Sequence, residues 1–151
     1  MTDSRNNDGL FGPEAGETMY KWATDLFPIN RSITGQGVRD TLNYIKNIEP
    51  GVSIESIKSR SKVFDWTIPK EWNVSDAYII APDGRRFADF RMNNLHLMGY
   101  SIPIEVTLSL DELNEHLHSL PEQPEAIPYV TSYYKEDWGF CISHNERDSL
   151  I

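Results

Sequence analysis

Apolar residues in the first third of the chain follow a helical period. The first predicted helix ends before Pro28 and has one apolar face, formed by Met19, Trp22, Ala23 and Leu26. A second helix carries apolar side chains from Val38 to Ile48 and is closed by Pro50-Gly51. Residues 52–55 then alternate between apolar and polar side chains, and the segment 52–57 is predicted to form a strand. Two helices and a strand are a common beginning of α/β domains.

The pattern changes after residue 57. Residues 63–108 are rich in β-branched and aromatic side chains, and turn residues recur every few positions. The segments 77–81 and 86–90 flank Pro82-Asp83-Gly84, which predicts a hairpin. Further strands are predicted at 96–101, 104–108, 129–134 and 138–143. The sequence therefore predicts an α+β chain: a short helical start followed by a mostly antiparallel β-sandwich.

One helix is predicted inside this β-rich part. Ser109 and Glu112 form a capping box, and Leu110, Leu113 and Leu117 point inward until Pro121 stops the helix. In the last strand the alternation puts Trp138, Phe140 and Ile142 on one face and Gly139, Cys141 and Ser143 on the other. No closing element is predicted after this strand.

Composition limits the classes of partner. The chain has 151 residues with 14 Lys and Arg against 23 Asp and Glu, a formal net charge of -9. Residues 101–151 contain only 2 of the bases but 10 of the acids. Because no basic stripe is present to neutralise phosphates, we expect neither nucleic acid nor an anionic membrane surface as a partner. The length is sufficient for a hydrophobic core without disulfides.

Cysteine usage and the N-terminus indicate a compartment. Cys141 is the single cysteine, which excludes an internal disulfide framework and a Cys-rich zinc ribbon. The first residues have neither the basic start nor the apolar core of a signal peptide, and no apolar run approaches the ~20 residues of a membrane span. We therefore expect a cytoplasmic protein.

Short motifs suggest several sites, each with a structural alternative. Thr34-Gly35-Gln36-Gly37, with Arg31 nearby, could hold an anion at a helix N-terminus. The alternative, which the weak glycine pattern favours, is a tight turn with Ser32 or Thr34 as the N-cap. His116 and His118 could share a zinc ion on a strand. On the helix that the capping box predicts, however, they would lie ~200° apart and could not.

Cys141 and His144 could form a nucleophile and its base, but nothing nearby in the sequence supplies an orienting group or an oxyanion hole. A structural cysteine on a strand is the preferred interpretation. Three acidic pairs could be carboxylate dyads or merely solvated: Asp111/Glu112, Glu122/Glu125 and Glu136/Asp137. An aromatic set could line a sugar-binding face or pack a β-sandwich core: Trp66, Trp72, Tyr129, Tyr133, Tyr134 and Trp138.

Several long stretches, in order and in register, carry a family resemblance. They are residues 26–28, 31–39, 63–74, 94–101, 120–134 and 138–145, which include Arg-Ser-Ile-Thr-Gly, Trp-Thr-Ile-Pro-Lys-Glu-Trp and Ile-Pro-Tyr-Val-Thr-Ser-Tyr-Tyr. Together they resemble the N-terminal part of a bacterial family of aminopeptidase-like proteins of unknown function, some of which occur near polysaccharide-biosynthesis genes. The resemblance covers about residues 16–146.

The resemblance implies a zinc-dependent aminopeptidase-like α/β domain, an inserted jelly-roll-like β-sandwich and a C-terminal winged helix. The first residues are polar and aperiodic, which indicates a flexible leader at 1–15. The resemblance assigns 16–57 to the start of the α/β domain and 58–151 to the inserted module, which we expect to be incomplete at its C-terminus. The family's metal motif lies downstream of the matching region. His96, His116, His118 and His144 match positions outside that motif. No catalytic, cofactor-binding or metal-binding residue is therefore assigned here.

Three hypotheses follow. The chain is the N-terminal portion of a zinc-dependent hydrolase acting on peptides or amino-acid derivatives, and alone holds no zinc and is inactive. Alternatively, it is a non-catalytic β-sandwich module that binds a saccharide or a peptide, or a truncated reading frame without an independent role. Because the helical start lacks the sheet partners that the family supplies from later sequence, the face of Val38, Leu42 and Ile45 is expected to stay partly exposed, so a homo-oligomer is among the expected states.

Overall fold

The first two helices lie where the apolar spacing predicts them. The computed structural model describes residue 12 and residues 14–150, and most of the predicted leader lies outside those residues. Helix α1 spans Ala15–Leu26 and helix α2 spans Gln36–Ile48. The Arg31 guanidinium donates a hydrogen bond of 2.6 Å to the carbonyl of Leu26, which satisfies one of the free acceptors at the end of α1. No side chain of α1 or α2 is fully buried.

Two short antiparallel hairpins follow. Strands β1 (Lys62–Val63) and β2 (Trp66–Thr67) form the first, and β3 (Ile79–Ile80) and β4 (Arg86–Phe87) form the second. The second confirms the hairpin predicted around Pro82-Asp83-Gly84, because Gly84 takes the left-handed φ of 84° that this turn requires.

The predicted strand at 52–57 is not formed. Val52 and Ile54 are half-buried while their neighbours are exposed, so the alternation is present. A strand also needs a hydrogen-bonded neighbour, and no described segment pairs with this one.

The third sheet joins distant parts of the chain. Strand β5 (Leu117–His118) pairs in parallel with β6 (Phe140–Cys141), placing Leu117 opposite Phe140. Isolated bridges add Leu97 to Phe140 and Gly99 to Thr131. The buried apolar residues of the described chain gather around these strands: Ala88, Met98, Leu117, Phe140, Cys141 and Ile142. Residues 140–143 are all buried, so both faces of the predicted alternation are covered by the rest of the chain.

Two single-turn helices of the same design complete the described structure. Helix α3 (Leu110–Asn114) has the predicted capping box between Ser109 and Glu112. Helix α4 (His144–Asp148) has an equivalent box between Ser143 and Glu146 and was not predicted. Each box satisfies backbone N–H groups that a helix start leaves free.

The remaining predicted strands are replaced by less regular structure. Asn94–His96 is a 3-10 helix, and residues 104–108 form no strand. Within 129–134, Thr131 makes a single bridge. The chain is therefore a mixed helix-and-strand structure, as predicted at the coarse level.

Candidate functional site

A cleft of about 410 Å³ opens between the loop after α1, the first hairpin and a turn near residue 134. Its lining consists of Ile33, Arg60, Trp66, Thr67, Ile68, Pro69, Lys70, Tyr133 and Tyr134. Three of the six aromatic residues singled out in the sequence therefore meet here: Trp66, Tyr133 and Tyr134. Trp72 and Tyr129 line a neighbouring cleft of about 230 Å³, and Trp138 lies elsewhere.

The first hairpin forms one wall of the cleft. The N–H of Arg60 donates to the carbonyl of Ile68 at 2.8 Å, and the N–H of Ile68 donates to Ser61 at 2.9 Å. These bonds continue the β1–β2 pairing and hold Trp66 in the lining with 39% of its surface exposed. At the tip of the same hairpin, Phe64 is 99% exposed and does not line the cleft.

A chain of aromatic contacts supports the opposite wall. Trp72 stacks on Tyr100 with ring centroids 5.6 Å apart, and Tyr100 meets Tyr133 edge-on at 4.9 Å. Tyr133 in turn meets Tyr134 edge-on at 6.2 Å. The indole N–H of Trp72 donates to the carbonyl of Ser101, which fixes the Trp72 end of this row of aromatic rings. The Tyr133 ring is thus packed against Tyr100, while Tyr134 remains 85% exposed.

Hydroxyl groups meet beside this wall. The hydroxyls of Tyr129 and Tyr133 lie 3.3 Å apart. Their interaction lowers the pKa of Tyr133 and, with burial, raises the pKa of Tyr129. Both hydroxyls are polar groups near the cleft that can donate or accept a hydrogen bond.

The charged groups of the lining are cationic. Arg60 and Lys70 line the cleft, and the described residues that line it include no carboxylate. Lys70 Nζ lies 3.0 Å from Glu136 Oε1, but both side chains of this ion pair are mostly exposed. Exposed pairs of this kind contribute little stability, so Lys70 can exchange Glu136 for another anion at small cost.

The predicted anion site at Thr34–Gly37 is filled by the chain itself. The side-chain oxygen of Asn73 accepts from the backbone N–H of Gln36 at 2.7 Å, at the start of α2. Neither Ser32 nor Thr34 caps this helix; its N-cap is Gly35, with φ 111°. The Thr34 hydroxyl instead donates to the carbonyl of Lys70. Two motifs of the resemblance are therefore packed together here, around 34–36 and 70–73.

The two histidines of the His-Leu-His motif do not lie on a helix, so the argument that a helix separates them was wrong: His116 lies in the turn after α3, and His118 lies in β5. Helix α3 ends at Asn114, and β5 begins at Leu117. His116 stacks on Trp138 with centroids 3.7 Å apart, and its Nδ1–H donates to the carbonyl of the same residue. Partial burial lowers the pKa of His118, whose ring lies against Gly139. Both imidazoles thus pack beside the Trp138–Gly139 backbone.

Cys141 and His144 do not form a catalytic pair. Cys141 is completely buried, and burial raises the pKa of its thiol to about 11, which suppresses the nucleophilic thiolate. His144 Nδ1 lies 3.0 Å from Ser119 Oγ instead. The fourth histidine, His96, is buried and donates from Nδ1 to the carbonyl of Cys141 at 2.9 Å.

The acidic pairs take structural roles or face solvent. Glu112 accepts from Ser109 in its capping box, which lowers the pKa of this carboxyl. Glu136 pairs with Lys70, while Asp137 pairs with Lys135 at 2.9 Å, which lowers the pKa of Asp137. Asp111 and the Glu122/Glu125 pair are exposed. Across residues 14–150, no group of three or more His, Cys, Asp or Glu side chains is arranged to hold a metal ion.

None of the helices in the described part of the chain combines the length and the apolar character that crossing a bilayer requires.

Comparison with known proteins confirms the resemblance to aminopeptidase-like proteins. The chain is 50% identical over 137 residues to a Clostridium acetobutylicum protein named "Putative polysaccharide biosynthesis protein with aminopeptidase-like domain". The alignment covers 91% of this chain and 31% of that protein. A crystal structure of a "putative peptidase" from Clostridium acetobutylicum superposes with a TM-score of 0.87 at 50% identity, covering 91% of this chain and 32% of the other.

The chain thus spans about a third of the length of the relatives it matches. A family profile matches residues 71–151, just over half of the chain. The matched region contains the second hairpin, the core strands and both capping boxes, and it also includes Tyr133 and Tyr134 of the cleft. The chain belongs to the family described as "Domain of unknown function (DUF2172)".

Proposed function

We propose that this chain is part of a zinc-dependent aminopeptidase-like hydrolase and that it supports the catalytic centre without holding its metal. The observation that carries the proposal is the 50% identity over 91% of the chain with a protein named for an aminopeptidase-like domain. The described side chains do not fit a zinc site, since a catalytic zinc needs about three protein ligands and no such group is present among them. No catalytic step is therefore assigned to these residues.

In this proposal the chain contributes the start of an α/β domain at 16–57 and an inserted jelly-roll-like module at 58–151. The second hairpin and the parallel β5–β6 pair supply sheet-forming segments around one core. The segment 52–57 would gain a strand partner in the intact hydrolase. The substrate of that hydrolase would be a peptide or an amino-acid derivative, and its compartment the cytoplasm.

A chimera tests the hydrolase proposal. This chain would replace the matching 137-residue region of the clostridial relative, and bound zinc and aminoacyl-4-nitroanilide hydrolysis would be compared among chimera, parent and isolated chain. We expect the chimera to keep the zinc content and activity of the parent, and the isolated chain to show neither. The substitutions His116→Ala and His118→Ala in the chimera should leave zinc content unchanged, since neither is proposed as a ligand.

Two results would contradict the proposal. One is stoichiometric zinc binding with turnover by the isolated chain, which would place the active site within these residues. The other is a parent protein that contains no zinc and hydrolyses no aminoacyl substrate.

A second function is favoured by the cleft. Trp66, Tyr133 and Tyr134 open onto one concavity of about 410 Å³, whereas aromatic residues that only pack a core would be closed off. Concave sites with several aromatic groups and a few polar ones are typical of ligand binding. We propose that the chain also acts as a non-catalytic module that binds a saccharide or a peptide at this cleft. Direct titration with defined oligosaccharides and peptides tests this function.

A further inference from the structure

The charge of the cleft differs from the charge of the chain. The whole sequence carries 23 acidic residues against 14 basic ones, yet the described lining contains two cations and no carboxylate. Glu136, which does not line the cleft, partly neutralises Lys70, but the two cations still favour anionic ligands over cationic ones. The ligand that fits this cleft therefore combines negative charge with faces that can stack on aromatic rings.

We propose that the cleft binds an acidic saccharide, with sugar rings against Trp66 and Tyr134 and carboxylates or phosphates on Arg60 and Lys70. The inference rests on the proposed binding function and specifies its ligand class. Arg60 supplies a planar fork of donors that matches carboxylate and phosphate oxygens. Tyr133 and Thr67 line the same cleft, and each carries a hydroxyl that can exchange hydrogen bonds with a sugar.

The structure favours a saccharide over an acidic peptide. Extended peptides commonly bind by adding a strand to a free sheet edge, where backbone hydrogen bonds supply the affinity. Strands β1 and β2 are only two residues long, so the hairpin beside the cleft offers too short an edge for this mode. The most accessible apolar surfaces in the lining, in contrast, include the rings of Trp66 and Tyr134, at 39% and 85% exposure.

The binding surface is partly fixed before a ligand arrives. Tyr133 is braced by Tyr100, and Trp66 is carried on a hydrogen-bonded hairpin. Binding therefore requires little ordering of these two side chains, which reduces the entropic cost. Lys70 would move from Glu136 to the ligand anion, exchanging one exposed ion pair for another.

Titration calorimetry of the full chain at low salt tests the proposal with four probes. They are trigalacturonate, phosphorylated maltotriose, neutral maltotriose and hexaglutamate. We expect one or both acidic sugars to bind more tightly than maltotriose and hexaglutamate, and to weaken as salt is added. The two acidic sugars distinguish carboxylate from phosphate recognition.

The hairpin supplies matched variants. Trp66→Ala should weaken binding of the acidic sugar by about tenfold, because it removes a large stacking surface. Arg60→Asn should have a similar effect of about tenfold by removing a charge-assisted bond, and Asn tolerates the φ of 67° at this position. Phe64→Ala and Lys62→Gln lie on the same hairpin outside the lining and should leave affinity unchanged. Circular dichroism checks that all four variants fold.

Each adverse outcome has a distinct meaning. Equal affinity for neutral and acidic sugars would overturn the acidic ligand while leaving a saccharide-binding function. Tighter binding of hexaglutamate would overturn the inference in favour of a peptide site. Equal weakening by Lys62→Gln and Arg60→Asn would show non-specific charge attraction and overturn the site. Failure of all four probes to bind would reject both the inference and the binding function.

Discussion

The helical region and the β-rich region of this chain are stabilised in different ways. Helices α1 and α2 bury no side chain completely, and they expose Met19, Tyr20 and Ile48. Every fully buried apolar side chain of the described residues lies beyond residue 87. The comparison shows that helices, whose backbone hydrogen bonds are local, can form with a small buried face, whereas the β5–β6 pair in the core is fixed by contacts between distant segments.

Polar contacts hold the two regions together. Asn73 binds the backbone at the start of α2, and Thr34 donates to the carbonyl of Lys70. Arg39 makes a bidentate ion pair with Glu71, with N–O distances of 2.6 and 2.9 Å. The two regions are therefore joined by oriented hydrogen bonds and an ion pair at an exposed surface. Substitutions in either region can test how independently the two are stabilised.

The largest expected effect is in the core. Ile142 is 0% exposed, and Ile142→Ala should lower the free energy of unfolding by about 2–5 kcal/mol through lost burial and a residual cavity. The matched substitution Ile48→Ala removes the same atoms from a side chain that is 41% exposed, and it should cost about 1 kcal/mol or less. Urea unfolding followed by circular dichroism measures both. Equal costs would mean that α2 is as firmly packed as the core.

An intermediate effect is expected at a glycine of the helical region. A Cβ at Gly37 would clash with the backbone carbonyl oxygen of Asn30, so Gly37→Ala must displace backbone. We expect a loss of about 1–3 kcal/mol, with faster hydrogen exchange confined to the helical region. The control is Gly16→Ala in α1, where a Cβ meets nothing within 4 Å and should stabilise the helix by up to about 1 kcal/mol. Faster exchange across residues 58–150 as well would contradict independent stabilisation.

The smallest effect concerns the ion pair at the junction. Arg39 lowers the pKa of Glu71 below its usual value, so the pair stabilises the folded state fully above the unfolded carboxyl pKa of about 4.3. This contribution should disappear as pH falls through the lower folded value. Glu71→Gln should therefore reduce thermal stability slightly at pH 7 and by less at the acidic end, and salt should narrow the difference. Glu55→Gln, at an exposed position of the same region, is the control. An unchanged difference at all pH values would contradict the assignment.

Local signals in the sequence identified local structure. The hairpin around Gly84 and the capping box at Ser109 depend on a few neighbouring residues, and both form as predicted. The Ser143–Glu146 box has the same signature, so α4 was predictable from the same rule and was missed because the segment was interpreted as a chain end.

Pairing between strands that are distant in the chain could not be predicted from the sequence pattern. Leu117–His118 was assigned to a helix because the capping box lies just before it, but pairing with Phe140–Cys141 makes it a strand. The candidate site shows the same limit. Its aromatic residues were identified, whereas the cationic members Arg60 and Lys70 were not, since only folding brings residues 60–70 beside 133–134. Nothing in the sequence predicted that the motifs at 31–39 and 63–74 pack against each other.

Because the Cys141 thiol is completely buried, its reactivity can report on local opening of the core around it. A thiol-reactive probe needs the thiolate in contact with solvent, and both conditions fail while the core is closed. Labelling of Cys141 should therefore follow the transient opening of the β-rich region and be insensitive to fraying of α1 or α2. With a single cysteine in the sequence, mass spectrometry of the labelled fraction over time would give that opening rate without any engineered label.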